Sequence, residues 1–384
     1  MKKQIWLGII ILVMILLFWP LRVGADEKGS GLDLSKLDFD GVDEMLKETG
    51  ADETLQTQTK AKTVGELLEE VMEGEIKTSW KDWLAAFGSS LWGNLQPYMG
   101  LMIQVIGLAL VSQFFNSLTI HFGEGSAGDV GFLCVYSVMV LVLVESFQIA
   151  YEETKQTVEQ VRNLSLYMMP AMAAVAVAGG FPISSIVQGE ALSGGFSLLL
   201  TLIKNIFTAG ILWITILEMV NFISKRAMLT QLTSLGRTIL EKGMKGICAL
   251  YLAVMGIMGT VMPAADRMVY KVSNTLLSSV PVVGSAMSGA MESVMAGSVL
   301  GKNGIGAAGC IILLCICLLP VAKLTAFWLM YRLISAFMSP IADERVVQLL
   351  SALGRSTAML LGIMVSSMVI FTGAVGILVV TLRQ

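Results

Sequence analysis

Leu235-Gly236-Arg237 recurs as Leu353-Gly354-Arg355, and this repeated triplet indicates how the second half of the chain is organised. The triplets lie 118 residues apart. Lys204 and Lys323, each inside a long apolar run, lie 119 residues apart. In a membrane chain, self-similarity at a nearly fixed spacing is typical of two structural repeats. The alternative is coincidence, because such short motifs are common in membrane proteins.

Each half also contains a stretch rich in small residues. Asn163 and Pro170 precede the first stretch, and Asn274 and Pro281 recur 111 residues later before the second. A single crossing by 167–195 would place five basic residues of the 225–245 loop outside, against the positive-inside rule. We therefore predict that 167–195 dips into the membrane and returns. The predicted structural determinants, for which ordinary loop punctuation is the alternative, are Pro170, Pro281, Gly179, Gly180, Gly284, Gly297, Gly301, Gly236 and Gly354.

Composition identifies the class of protein. The chain is 55% hydrophobic and 14% charged, whereas a soluble domain is about 45–50% apolar and about 25% charged. It is therefore predicted to be a polytopic membrane protein. A net charge of −3 without a basic cluster argues against nucleic-acid binding. The single histidine, His121, argues against His-based metal sites and Ser-His catalysis, and the five cysteines lie in apolar runs. We predict no cofactor and no enzymatic activity, since the known catalytic motifs are missing.

The N-terminal quarter is predicted to be exported. Residues 1–25 have a charged start, an apolar core and small residues at their end, as in a signal peptide, with an uncleaved anchor as the alternative. Residues 26–97 form an acidic extracytoplasmic segment, of which 26–62 is expected to be extended or partly disordered. Thr63 and Glu66 have the spacing of a capping box. Trp80, Trp83 and Trp92 predict a helix on the membrane surface, or alternatively a core stripe.

The remaining chain is predicted to be an all-α, polytopic membrane helical bundle. A first transmembrane hairpin occupies 98–151, a first repeat 152–264 and a second repeat 265–384. The predicted spans are 98–120, 130–151, 196–223, 246–264, 307–337 and 357–382, and 152–166 is expected to be an external amphipathic helix. In this topology both Leu-Gly-Arg triplets lie in the cytoplasm, so the repeats are parallel and each contains a Gly/Pro-broken re-entrant segment.

Four charged residues are candidates for a pore-lining or partner-facing role. Lys204 and Lys323 lie inside apolar helices, where an ionisable group is a functional candidate. The alternative is that their long stems reach an interface. Glu190 and Glu292 lie in the two Gly/Pro-broken runs and could pair with these lysines, or face water outside.

The order of these features resembles the stage III sporulation protein AE family. The resemblance rests on Ser279-Val280-Pro281-Val282-Val283-Gly284, on Ala290-Met291-Glu292-Ser293-Val294, on the Lys323 helix and on Leu353-Gly354-Arg355. It implies a role in endospore formation, in the mother-cell membrane that faces the forespore. It also implies partners: other membrane proteins of the same sporulation operon and a forespore membrane protein, in a secretion-like channel complex.

Two functions follow from these observations. The first is a membrane subunit of that complex, in contact with membrane lipid. Such a subunit could also form a homo-oligomer. The second is a secondary transporter whose substrate site lies between the two repeats, a reading favoured by broken segments and paired lysines.

Overall fold

The computed structural model describes residues 39–73, 80–122, 127–178, 193–223, 229–278 and 284–381, and its regular elements there are helical. Three short helices come first: α1 (Asp40–Thr49), α2 (Ala51–Thr59) and α3 (Val64–Glu73). Six long helices follow: α4 (Trp80–Phe122), α5 (Ala127–Ala178), α6 (193–223), α7 (Thr230–Ser278), α8 (Gly284–Met338) and α9 (Glu344–Thr381). The predicted all-α fold is confirmed.

Five of the described helices are long and apolar enough to cross a membrane. The qualifying segments are Lys81–Thr119, Gly128–Val175, Ser193–Phe222, Asn303–Met338 and Glu344–Val379. The protein is thus a multi-pass membrane protein. The predicted span 246–264 lies within α7, which is not among the five. That span, the domain boundaries and the sidedness of the chain stay predictions.

Helix α8 is the centre of the bundle. It packs against α9, α5 and α4, and 78% of its most apolar window is buried, against 17% for α4. The reason is visible in the run from Cys310 to Cys317, which is apolar on every side and almost wholly buried. A helix without a polar face is stable only when it is surrounded by other helices or by lipid. The thiols of Cys310, Cys315 and Cys317 are accordingly free and buried.

The segment that the sequence predicts to be exported is more ordered than expected. Residues 26–62 were expected to be extended or partly disordered. Residues 26–38 lie outside the described part of the chain, and for the rest the expectation is wrong, because α1 and α2 occupy most of it. Val42, Leu46 and Leu55 are buried at 2% exposure or less. These helices fold back on the membrane body: a Cβ at Gly41 would lie 2.7 Å from the Tyr167 ring of α5. The free energy gained by burying these apolar side chains against a helix distant in sequence therefore outweighs the tendency of an acidic segment to stay unfolded.

The predicted capping box is confirmed in part, because Thr63 caps the helix but the Glu66 side chain returns to the N–H of Lys62 rather than to that of Thr63. Thr63 Oγ1 accepts a hydrogen bond from the Glu66 N–H at 3.3 Å, and Glu66 Oε2 accepts one from the Lys62 N–H at 2.6 Å. Asp43 Oδ1 accepts the N–H of Val64 at 2.9 Å, which ties α1 to the start of α3. These acceptors satisfy N–H groups that have no partner within the helix.

Pro170 and Pro97 do not end the helices in which they lie. Pro170 was predicted to interrupt the chain, but it lies inside α5, which continues to Ala178. Proline removes a backbone hydrogen bond and strains a helix by about 3 kcal/mol, so packing must hold α5 together here. Met168, Met169 and Met172 supply it, because all three are fully buried around the exposed proline. Pro97 lies inside α4 in the same way, so the predicted surface helix and first span form one helix.

Candidate functional site

Lys204 is paired with an acid on another helix. Its Nζ lies 2.7 Å from Oε2 of Glu159 on α5. Oε1 of Glu159 accepts from Arg162 Nη1 at 2.5 Å, and Arg162 Nε donates to Ser197 Oγ at 3.1 Å. One carboxylate thus serves two cations, and the network joins α5 to α6.

A local change of helix type surrounds Lys204. Residues Ile203–Phe207 form a π-helical turn inside α6. The Thr208 hydroxyl donates to the Lys204 carbonyl. Single π-helical turns are rare and occur often at functional sites.

Lys323 makes the corresponding contact in the second half of the chain. Its Nζ lies 2.5 Å from Oε2 of Glu153, again on α5. Tyr98 of α4 interacts electrostatically with both groups, and its ring centroid lies 4.3 Å from that of Phe327. The pair therefore ties α8 to α5 beside α4, with both side chains about one quarter exposed.

Both lysines consequently reach the same helix. Glu153 and Glu159 are six residues apart, which is about 9 Å along α5. Isolated charges at membrane depth are costly, and such groups are usually paired with one another. Helix α5 therefore neutralises a lysine from each half of the chain and links the two halves.

Lys204 and Lys323 are bound by Glu159 and Glu153, whereas the sequence suggested Glu190 and Glu292 as their partners. Glu190 lies outside the described residues, and so does the side chain of Glu292, whose backbone belongs to α8. Sequence reasoning assigned 152–166 to an external helix and so did not consider Glu153 and Glu159 as partners. The available signal was their spacing on one helix, with Arg162 three residues after Glu159.

A second charged contact joins the repeated triplets. Arg237 of the first triplet donates from Nη2 to Glu218 Oε2 of α6 at 2.7 Å, and both side chains are largely buried. The same nitrogen lies 3.3 Å from Ser356 Oγ on α9, directly after the second triplet. Arg237 thus holds α6, α7 and α9 together, and Glu218 is a further residue that the sequence reasoning did not single out.

The triplet glycines allow close approach of neighbouring helices. A Cβ at Gly236 would lie 3.1 Å from Ile214 of α6, and one at Gly354 would lie 3.7 Å from Tyr331 and 3.9 Å from Arg332 of α8. Ile214 and Arg332 are themselves 118 residues apart, the spacing of the triplets. Each triplet glycine therefore packs against the long helix that precedes it, and the repeat itself stays a prediction.

The structure describes only some of the other predicted structural determinants. Gly284, Gly297 and Gly301 lie in the continuous helix α8, so the break expected in this run is not found from Gly284 onward. Pro281, Gly179 and Gly180 lie outside the described residues. Whether 167–195 is re-entrant stays a prediction.

The predicted tryptophans have different environments. Trp80 begins α4. Trp83 is 4% exposed and belongs to the core, as the alternative interpretation expected, whereas Trp92 is 67% exposed. Trp92 therefore remains the candidate for contact with lipid headgroups.

Known proteins resemble most of this chain. The family model described as stage III sporulation protein AE matches residues 62–381. The stage III sporulation protein AE of Bacillus subtilis (strain 168) is 23% identical over 290 residues, which cover 75% of this chain and 73% of that protein. No solved structure matches.

Proposed function

The chain belongs to the stage III sporulation protein AE family, and from that premise we propose that it is a membrane subunit of a secretion-like channel complex. The complex joins the mother cell to the forespore during endospore formation. The subunit lies in the mother-cell membrane with its N-terminal segment exported. It acts by assembly with other membrane proteins of the same operon and with a forespore membrane partner, rather than by catalysis.

One observation carries the proposal that assembly is its role. The ammonium groups of Lys204 and Lys323 are both occupied by carboxylates of α5. A transporter that used these lysines to bind an anionic substrate would need them available, and each would have to break an internal pair first. As arranged, the pairs hold helices together, as expected of a scaffold on which other subunits assemble.

The exported helices are the proposed contact with partners outside the mother cell. Their apolar residues face α5 and α8, and their acidic residues Glu44, Glu48 and Glu53 remain exposed. Deleting the whole segment would uncover the membrane body. A variant of the exposed face is therefore the sharper test.

The test is affinity purification of the tagged chain from membranes of sporulating cells after chemical cross-linking. We expect the other membrane proteins of the operon to be recovered with the wild type. Recovery should fall in the Glu44→Lys/Glu48→Lys variant but not in a Lys155→Gln control, which removes an exposed i,i+3 ion pair on α5. A chain that is recovered alone, and whose Lys204→Ala and Lys323→Ala variants lose solute uptake in purified vesicles, would establish the transporter alternative.

Orientation is tested by cysteine labelling in a background without native cysteines. Ser234→Cys is expected to be unreachable by an impermeant thiol reagent added outside, and Ser285→Cys to be reachable. The opposite pattern would overturn the proposed sidedness.

A further inference from the structure

A cluster of arginines at the junction of the two triplets carries more positive charge than its acid neutralises. Arg355 interacts electrostatically with Glu218, Arg237 and Arg332. The stem of Arg332 lies beside Gly354, at 3.9 Å from the position of an added Cβ. Glu218 is bound to Arg237. One carboxylate among three guanidinium groups leaves an excess of two positive charges.

The two arginines without an acid are accessible. Arg332 and Arg355 are both exposed, and in the described part of the chain neither forms an ion pair with an acidic side chain. The guanidinium of Arg332 lies 6.0 Å from the ring centroid of Trp328. Because the like charges of Arg332 and Arg355 repel one another, an anion bound by both would stabilise the arrangement.

The position of the cluster along the helices suits a lipid headgroup. Arg332 lies six residues before the end of α8 at Met338, or about 9 Å along the helix axis. Arg355 lies immediately before the predicted span 357–382. Both are thus near the level where a membrane-spanning helix meets the headgroups, on the predicted cytoplasmic side.

The chemistry of arginine identifies the ligand. A guanidinium group binds phosphate through paired, charge-assisted hydrogen bonds, and basic pockets between membrane helices on the cytoplasmic side bind anionic headgroups. We propose that Arg332 and Arg355 bind the phosphate of an anionic phospholipid, while Arg237 is neutralised by Glu218. This site would couple the junction of the two halves to the surrounding bilayer.

The test is a titration of the full-length chain, in a mild detergent, with phosphatidylglycerol and separately with phosphatidylcholine, read by native mass spectrometry. Arg332→Gln and Arg355→Gln should each weaken phosphatidylglycerol binding about tenfold, since a hydrogen bond to a charged group is lost. Arg332→Lys should weaken phosphatidylglycerol binding less than Arg332→Gln does, because the positive charge remains. Lys245→Gln, which removes an exposed lysine of α7, should bind like the wild type.

Three results would overturn the proposal. They are equal phosphatidylglycerol binding by the wild type and Arg332→Gln, equal binding of the two lipids, and binding of inorganic phosphate in place of the lipid. Size-exclusion chromatography reports folding of each variant. If Arg355→Gln does not fold, Arg332→Gln, at an exposed position, decides the outcome.

Discussion

The two lysines should differ in how much their loss destabilises the protein, because their acids differ in remaining partners. Among the described residues, the Glu153 carboxylate is bound by Lys323 alone. Glu159 is bound by both Lys204 and Arg162. Lys323→Met therefore leaves a carboxylate without a counter-charge, whereas Lys204→Met leaves one that is still paired. We expect Lys323→Met to be the more destabilising substitution.

The magnitude follows from burial. Breaking a fully buried ion pair costs about 3–5 kcal/mol, whereas interhelical hydrogen bonds in membranes average about 0.6 kcal/mol. The Lys323–Glu153 side chains are 27% and 21% exposed, so the cost lies between these limits. We expect Lys323→Met to lower the free energy of unfolding by about 2 kcal/mol and Lys204→Met by about 1 kcal/mol.

The assay is equilibrium unfolding of the purified protein in mixed micelles with a denaturing detergent, applied to a double-mutant cycle. Lys323→Met, Glu153→Gln and the double variant give the coupling energy of the pair, expected to be about 1–2 kcal/mol. Lys204→Met measured in parallel is the matched control. A coupling energy near zero, or a larger cost for Lys204→Met than for Lys323→Met, would refute the assigned contacts.

Four further substitutions, one of them a control, test packing, backbone conformation and a buried ion pair by the same unfolding measurement. Gly306→Ala should cost about 1–3 kcal/mol, because its Cβ would lie 3.0–3.3 Å from three side chains; Gly376→Ala, with open space around it, should be nearly neutral. Gly50→Ala should cost about 1 kcal/mol, since Gly50 has φ 66° between α1 and α2. Glu218→Gln should cost about 2 kcal/mol, because Arg237, with a side chain 13% exposed, loses its counter-charge.

Local signals in the sequence were sufficient for much of the fold. The run from Cys310 to Cys317 is apolar in every direction, and it lies in the predicted span 307–337, which belongs to the helix α8. Thr63 and Glu66 are three residues apart, and the capping bonds that form there depend on nearby backbone only. Gly236 and Gly354 were named as structural determinants from the repeated triplet, but the sequence did not indicate which helices they would pack against.

Long-range contacts account for what was missed. The helices α1 and α2 have an acidic composition, and their order depends on burial against α5 and α8, which no local pattern specifies. Val42 and Leu46, four residues apart, were the readable sign of an amphipathic helix. Glu153 and Glu159 can be lysine partners because α5 continues without a break from the predicted span 130–151 through residues 152–166, a continuity that no local pattern in the sequence specifies.

The π-helical turn at Ile203–Phe207 bears on the history of the chain. Lys204 precedes Gly236 by 32 residues, but Lys323 precedes Gly354 by 31. A helix can accommodate one inserted amino acid as a single π-helical turn. The residues after the insertion then keep the orientation that they had about the helix axis. The wide turn of α6 begins beside Lys204, and a lone insertion in one of two ancestral copies would leave this mark. Deleting Asn205 should then restore an ordinary helical turn and equalise the two intervals.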